Sequence, residues 1–345
     1  MRKFFVFVAV FLIITTPNLS QSLSIKRGDK VHLIAPSRGV TKEHLSAVKK
    51  LIEDAGLIPI LPKNMIDHSC CETPEDWTKN DHWSNSHTNR ALNFIEAFKS
   101  DAKIIWAVCG GFGAVSVVEQ LERMNFDPST IKEPPILIGF SDITNLHLWA
   151  QKHEITSIHG MNIGQGMEMA NFTGANPQGS LKEQVHILMR PPSNQKIAYE
   201  LIHLNPVAGK KNMKIQSSII GGCFSIIQRT LGTAVELNPK NKIILFEDDS
   251  CSSHYVREHS MWTQLSLAGF FDKAAALLIG DMSIDNMSTE EFVRNIIRDL
   301  NITIPVFLIS DVGHGNKNKM VPLGTDATVT YGNGNTKAQI EISLP

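Results

Sequence analysis

Three polar residues stand at the ends of apolar runs, where an open α/β sheet gathers its ligands. Ser141 lies in Gly139-Phe140-Ser141-Asp142, directly after the run 135–138. Glu247 follows the run 242–246, and His314 lies in Asp311-Val312-Gly313-His314-Gly315 after the run 305–309. A serine on a tight strand-to-helix turn presents its hydroxyl outward. The backbone N–H of the next residue, Asp142, points to the same spot. A serine nucleophile needs a base and the base an orienting carboxylate; Glu247 is a carboxylate at a strand mouth, and His314 and His159 are the two histidines in informative positions. Taken singly, each has a plainer and more common reading: Ser141 as a helix N-cap, Glu247 as a solvated acidic turn, His314 as a hydrogen-bonded structural histidine. Ile143 stands where G-x-S-x-G needs its second glycine, so the α/β-hydrolase pattern is not met.

A second strand-to-helix turn is Cys109-Gly110-Gly111-Phe112-Gly113. Its glycines let backbone N–H groups approach a ligand closely. It does not fit G-x-G-x-x-G and carries no Gly-Lys-Ser/Thr, so a nucleotide loop is not indicated. The chain has 13 histidines, too many to rank by count. His159, in Ile158-His159-Gly160, is the other one at a strand end in the first half. The His- and Asp-rich stretch 67–87 lacks H-E-x-x-H or any regular ligand spacing, so neither a metal nor a cofactor is expected.

The elements that must position these groups alternate. Apolar runs at 31–35, 57–61, 104–108 and 135–139 are separated by segments with helical periodicity, such as the one Thr41 can cap. Strand–helix alternation of this kind predicts an α/β fold with a parallel sheet. Residues 162–205 are rich in Gly, Asn, Gln and Pro, with room for one helix near 180–189. The chain therefore divides into an N-terminal α/β domain at 23–165, a linker at 166–204 and a C-terminal domain at 205–345.

Composition sets outer limits. A chain of 345 residues with 42% apolar and 19% charged residues can build two cores. A formal net charge of −1 gives no reason to expect a nucleic-acid or anionic-membrane partner. Arg2 and Lys3 precede an apolar run from 4 to 14 and a polar exit. That is the pattern of a secretory signal peptide over residues 1–22, with a run too short to span a bilayer comfortably. The expected location is outside the cytoplasm, periplasmic or secreted, with membrane contact only through that segment. Five cysteines are present, Cys70, Cys71, Cys109, Cys223 and Cys251. No CxxC suggests zinc, and the apolar settings of Cys109 and Cys223 read as buried small hydrophobes. Whether Cys70 or Cys71 pairs is not assigned by the sequence.

Together these segments resemble the serine LD-carboxypeptidase family, which includes muramoyl-tetrapeptide carboxypeptidases and microcin C immunity peptidases. The matching pieces run in the family's order from Ala35-Pro36-Ser37 through Gly110-Gly111-Phe112-Gly113 and Gly139-Phe140-Ser141-Asp142-Ile143-Thr144. They continue with His159-Gly160, Gly221-Gly222, Leu231-Gly232-Thr233, Phe246-Glu247-Asp248, Gly313-His314-Gly315 and Pro322-Leu323-Gly324. No piece is specific, but the ordered set is. The resemblance implies a flavodoxin-like N-terminal domain and a smaller C-terminal α/β domain with its own sheet. It implies Ser141 as nucleophile, His314 as general base and acid, and Glu247 as the residue orienting His314. It further implies an oxyanion hole from the backbone N–H groups of Asp142 and of Gly110 or Gly111, with Phe112, His159 and Tyr255 as substrate contacts. The expected reaction is hydrolysis of an L,D peptide bond at a peptide C-terminus, with release of D-Ala from murein tetrapeptide. Relatives are often homodimers.

Two departures bear on substrate choice. Cys109 replaces an arginine usual before the glycine turn, and the stretch 249–260 keeps only Tyr255 of a Tyr-x-x-Asp-Arg pattern. The alternatives are a peptidyl-nucleotide hydrolase with the same triad and, in another class, a catalytically idle exported binding protein.

Overall fold

The computed structural model describes residues 24–63, 65, 83–164, 177–190, 196–206, 213–249, 254–282, 284, 286–315, 317–332 and 336–345. The expected signal segment, Cys70, Cys71 and Cys251 lie outside the described residues.

The first half forms the expected parallel sheet. Strands β1 (Lys30–Ile34), β2 (Ile58–Ile60), β3 (Ile104–Ala107), β4 (Ile136–Gly139) and β5 (Ser157–His159) lie in the order β2-β1-β3-β4-β5. This is the flavodoxin-like order. Its central strands are continuous apolar runs because both faces are covered. On one face, Val48 and Ile52 of α1 (Lys42–Asp54) pack with Val31, Leu33, Ile104 and Ile138. On the other, α2 (His87–Lys99), α3 (Ala114–Arg123) and α4 (Thr144–Lys152) bring Phe94, Phe98, Val117, Leu146 and Trp149 onto Ile105 and Leu137. Thr41 caps α1 by accepting the His44 N–H.

After α5 (Pro177–Leu188), the second half forms its own sheet, and that sheet closes into a barrel. Its members are β6 (Lys196–His203), β7 (Met213–Cys223), β8 (Ile243–Glu247), β9 (Ala276–Ile279), β10 (Val306–Ile309), β12 (Asp326–Tyr331) and β13 (Lys337–Ser343). β7 to β10 run parallel, with Ile219 opposite Ile243 and Leu245 opposite Leu278. The barrel helices are α6 (Phe224–Arg229), α7 (Tyr255–Leu267), α8 (Phe270–Lys273) and α9 (Thr289–Asp299).

Two features differ from the boundaries read in the sequence. The stretch 166–204 holds α5 and β6, and β6 is a full member of the barrel. Its alternation explains the difference: Ile197, Leu201 and His203 point inward while Lys196, Ala198 and Glu200 stay exposed or half-exposed, so no apolar run marks it. Strand β11 (Val321–Leu323) leaves the barrel half and pairs antiparallel with β5, Val321 opposite His159, completing the first sheet at six strands. The two halves also share one core, because Ile220, Phe224, Phe246 and Trp262 of the barrel half cluster with Leu146 and Trp149 of α4.

Candidate active site

Ser141 sits where β4 gives way to α4. Phe140 is still extended at φ −151°, Ser141 turns left-handed at φ +62°, and a 3-10 turn leads into the helix. A left-handed serine is uncommon and persists only when its surroundings dictate it. Here they do. Asn162, wholly buried, accepts the Phe140 N–H at 3.1 Å. The buried Asp142 carboxylate accepts from Ser37 Oγ at 2.6 Å, the Ala114 N–H at 2.8 Å and Asn145 Nδ2 at 3.0 Å. Burial pushes the Asp142 carboxyl up, against the pull of those donors and of Arg90. One side chain thus ties the serine's turn to the β1 loop and to the start of α3.

The glycine turn packs directly on this serine. A Cβ on Gly110 would lie 3.1 Å from Ser141 Cβ, and one on Gly111, at φ +100°, would meet Arg38 Cδ at 2.6 Å. Arg90, buried behind the turn, donates to the carbonyls of Pro36 and Gly113. Cys109 corrects the sequence reading. It is buried, but it is disulfide-bonded, and its partner lies outside the described residues. Cys223 is a free buried thiol whose pKa is pushed well up by burial and by Asp248 and Glu247.

The other two groups arrive from the barrel half. Glu247 ends β8 with no exposure, in space kept open by glycines. A Cβ on Gly280 would come within 3.0 Å of Glu247 Cβ, and one on Gly313, at φ +111°, within 2.5 Å of Glu247 Oε2. His314 Nδ1 lies 2.6 Å from Glu247 Oε2, and His314 Nε2 lies 3.0 Å from Ser141 Oγ. With the ring N–H on Nδ1, His314 donates to Glu247 and accepts the Ser141 hydroxyl proton. The loop before the histidine is pinned by the Gly313 N–H to Asn318 Oδ1 at 2.9 Å, and Gln184 Nε2 holds Asn318 O at 2.8 Å.

Burial alone would lower the His314 pKa. The charge and hydrogen bond of Glu247, reinforced by Asp249 and Asp248, outweigh it and raise the value to about 9. Burial pushes Glu247 upward as well, opposed by His314. Both shifts describe a pair that titrates jointly. The neighbouring acidic side chains thus favour the imidazolium form of His314.

Ser141 and His314 open on a cavity of about 850 Å³. Phe112, Val115 and Val118 give it an apolar side, while Arg229, Arg257 and Asp248 supply charge.

Two family models match this chain, the LD-carboxypeptidase N-terminal domain over residues 31–160 and the LD-carboxypeptidase C-terminal domain over residues 216–329. The chain belongs to the LD-carboxypeptidase family. It is a serine-type hydrolase.

Among LD-carboxypeptidase relatives, the probable murein peptide carboxypeptidase of Bacillus subtilis is 25% identical over 323 residues, covering 89% of this chain and 90% of that protein. The murein tetrapeptide carboxypeptidase of Pseudomonas aeruginosa is 24% identical over 308 residues, covering 87% and 92%. Two solved structures share the fold. The muramoyltetrapeptide carboxypeptidase from Oxalobacter formigenes superposes with a TM-score of 0.70 at 18% identity, over 92% of this chain and 99% of that one. The MccF-like protein from Bacillus anthracis gives 0.72 at 18% identity, over 93% and 98%.

Against what the LD-carboxypeptidase resemblance implied, the structure gathers Ser141, Asp142, Gly111, Phe112 and His314 on one cavity, with Gly110 and Glu247 directly behind. Two expected substrate contacts are elsewhere. His159 has no exposure, stands edge-on to Phe140 at the end of β5, and is held neutral chiefly by burial. Tyr255 turns toward α9, donating to Asp299 Oδ2 at 3.3 Å and packing on Phe292. Asn162, Arg90 and Asn318 were missed because isolated polar residues, each bonded to backbone, carry no spacing signal.

Proposed function

We propose that the protein is an exported serine carboxypeptidase that hydrolyses an L,D peptide bond at a peptide C-terminus and releases D-Ala from murein tetrapeptide. The observation that carries the reading is the unbroken hydrogen-bond chain from Glu247 through His314 to Ser141, opening on the cavity. Ser141 Oγ attacks the carbonyl before the terminal residue as His314 Nε2 takes its proton. Glu247, buried against Nδ1, stabilises the imidazolium formed in that step. The backbone N–H groups of Asp142 and of Gly110 or Gly111 receive the oxyanion. His314 then protonates the departing amine, and water, deprotonated by the same imidazole, releases the acyl group from Ser141. Export is supported by the basic-then-apolar start of the chain and by the Cys109 disulfide, which suits an oxidising compartment.

A second reading keeps this chemistry and takes a peptidyl-nucleotide as substrate. The cavity of about 850 Å³ has room for a substrate of that size. The test is product analysis by mass spectrometry on both substrates with wild type and Ser141→Ala. Loss of one alanine from the tetrapeptide by wild type alone supports the first reading. Cleavage of the nucleotide conjugate alone replaces it with the second.

A further inference from the structure

One carboxylate beside the triad has no part in the steps above. Asp281 follows β9, just beyond Gly280, and its backbone joins the two segments that carry Glu247 and His314. The Asp248 N–H donates to Asp281 O at 2.9 Å, and the Asp281 N–H donates to Val312 O at 2.7 Å. Its side chain reaches the residue after the histidine. The carboxylate accepts the Gly315 N–H, and a Cβ on Gly315 would lie 2.2 Å from Asp281 Oδ2. Asp281 does not line the cavity, so it does not touch substrate there.

We propose that Asp281 is a positioning residue: its ionised carboxylate clamps the Gly315 end of the histidine loop, as Asn318 clamps the Gly313 end, and so holds His314 Nε2 on Ser141. The charge has a reason beyond the hydrogen bond, because it also faces His314 and favours the imidazolium. The other charged groups facing Asp281 are Glu247 and Asp311, and Asp311 is itself paired with Lys319 at 3.1 Å. Burial, Glu247 and Asp311 raise the Asp281 pKa to about 6, against the Gly315 N–H and His314. Above that pH the clamp is charged. Below it, one oxygen carries a proton and the clamp weakens.

The inference rests on the serine mechanism, so its test reads Ser141 without assuming a substrate. Wild type, Asp281→Asn and Asp281→Ala are treated with a fluorophosphonate, and the labelling rate at Ser141 is followed from pH 5 to 10. Turnover of an L,D tetrapeptide is measured in parallel. Asp281→Asn keeps the shape and an acceptor for the Gly315 N–H, so it carries the test should the alanine variant not fold. The expected wild-type rate is level above about pH 9, falls about 10-fold per pH unit below that as the neutral fraction of His314 declines, and steepens toward about 100-fold per unit below pH 6, where Asp281 also takes up a proton. In Asp281→Asn the steeper limb is lost and the upper limb moves to lower pH. In Asp281→Ala, kcat falls at least tenfold with KM within about twofold. Variant profiles that overlay wild type overturn the inference and leave the serine mechanism standing. A wild type that is not labelled at all overturns both.

Discussion

At the residue scale, the His314 pKa sets the pH dependence. To act as the base of the proposed mechanism it must be neutral, yet its neighbours favour the charged form and raise its pKa to about 9. Activity is therefore expected to rise with pH through neutrality and level off near pH 9, as read from kcat/KM against pH. Glu247→Gln removes the charge that causes the shift. Its limb should move down toward the ordinary histidine value of about 6.5 while kcat drops about 10²–10⁴-fold. Ser141→Ala should cut turnover more than 10³-fold and leave the melting temperature unchanged, since the turn is held by Asp142 and Asn162 rather than by the hydroxyl. EDTA should change nothing in the same assay. Ser141, Glu247 and His314 could be singled out because each lies at or soon after an apolar run, but their expected roles came from the ordered family resemblance rather than from any one position. The left-handed backbone of Ser141 was not, since it arises from contacts up to 105 residues distant, such as Ser37 to Asp142.

At the element scale, the site depends on how the end of β7 meets the start of α4. The Cys223 N–H donates to Thr144 Oγ1 at 2.9 Å, three residues beyond the serine. Gly222, at φ +142°, comes so near that a Cβ would lie 2.6 Å from the same oxygen. Gly222→Ala should cost about 1–3 kcal/mol through backbone strain and the clash. It should also lower kcat by pushing the helix that carries Ser141 away from His314. Thr144→Val leaves a buried N–H without its acceptor and should cost a similar amount, about 1–3 kcal/mol. Thermal unfolding with kcat on the same samples checks both. The long apolar strands were readable as such. β6 and β11 were not. β6 alternates because one side faces outward, and β11 is three residues with a central proline, tolerable at the edge of a sheet.

At the scale of the whole molecule, the reactive groups are divided between a parallel sheet and a barrel, and the Cys109 disulfide anchors the glycine turn on the sheet side. Reduction should lower stability by about 2–4 kcal/mol and slow turnover, measured by thermal unfolding and product formation with and without reductant. Alkylation mapped by mass spectrometry should mark Cys109 only after reduction.

Strand β11 has a consequence for biosynthesis. β5 ends at residue 159 and its sheet partner begins at residue 321, so about 160 residues must be made between them. At about 5–20 residues per second that interval is roughly 10–30 s. Throughout it the edge of β5 beside the serine's turn has no neighbour, and the base has not yet been synthesised. The nascent chain thus carries the proposed nucleophile without its base, and a sheet with one edge open, until residues 314 and 321–323 have been made. A chain ended before residue 314 lacks both His314 and β11, so it cannot follow the proposed mechanism and keeps an exposed strand edge.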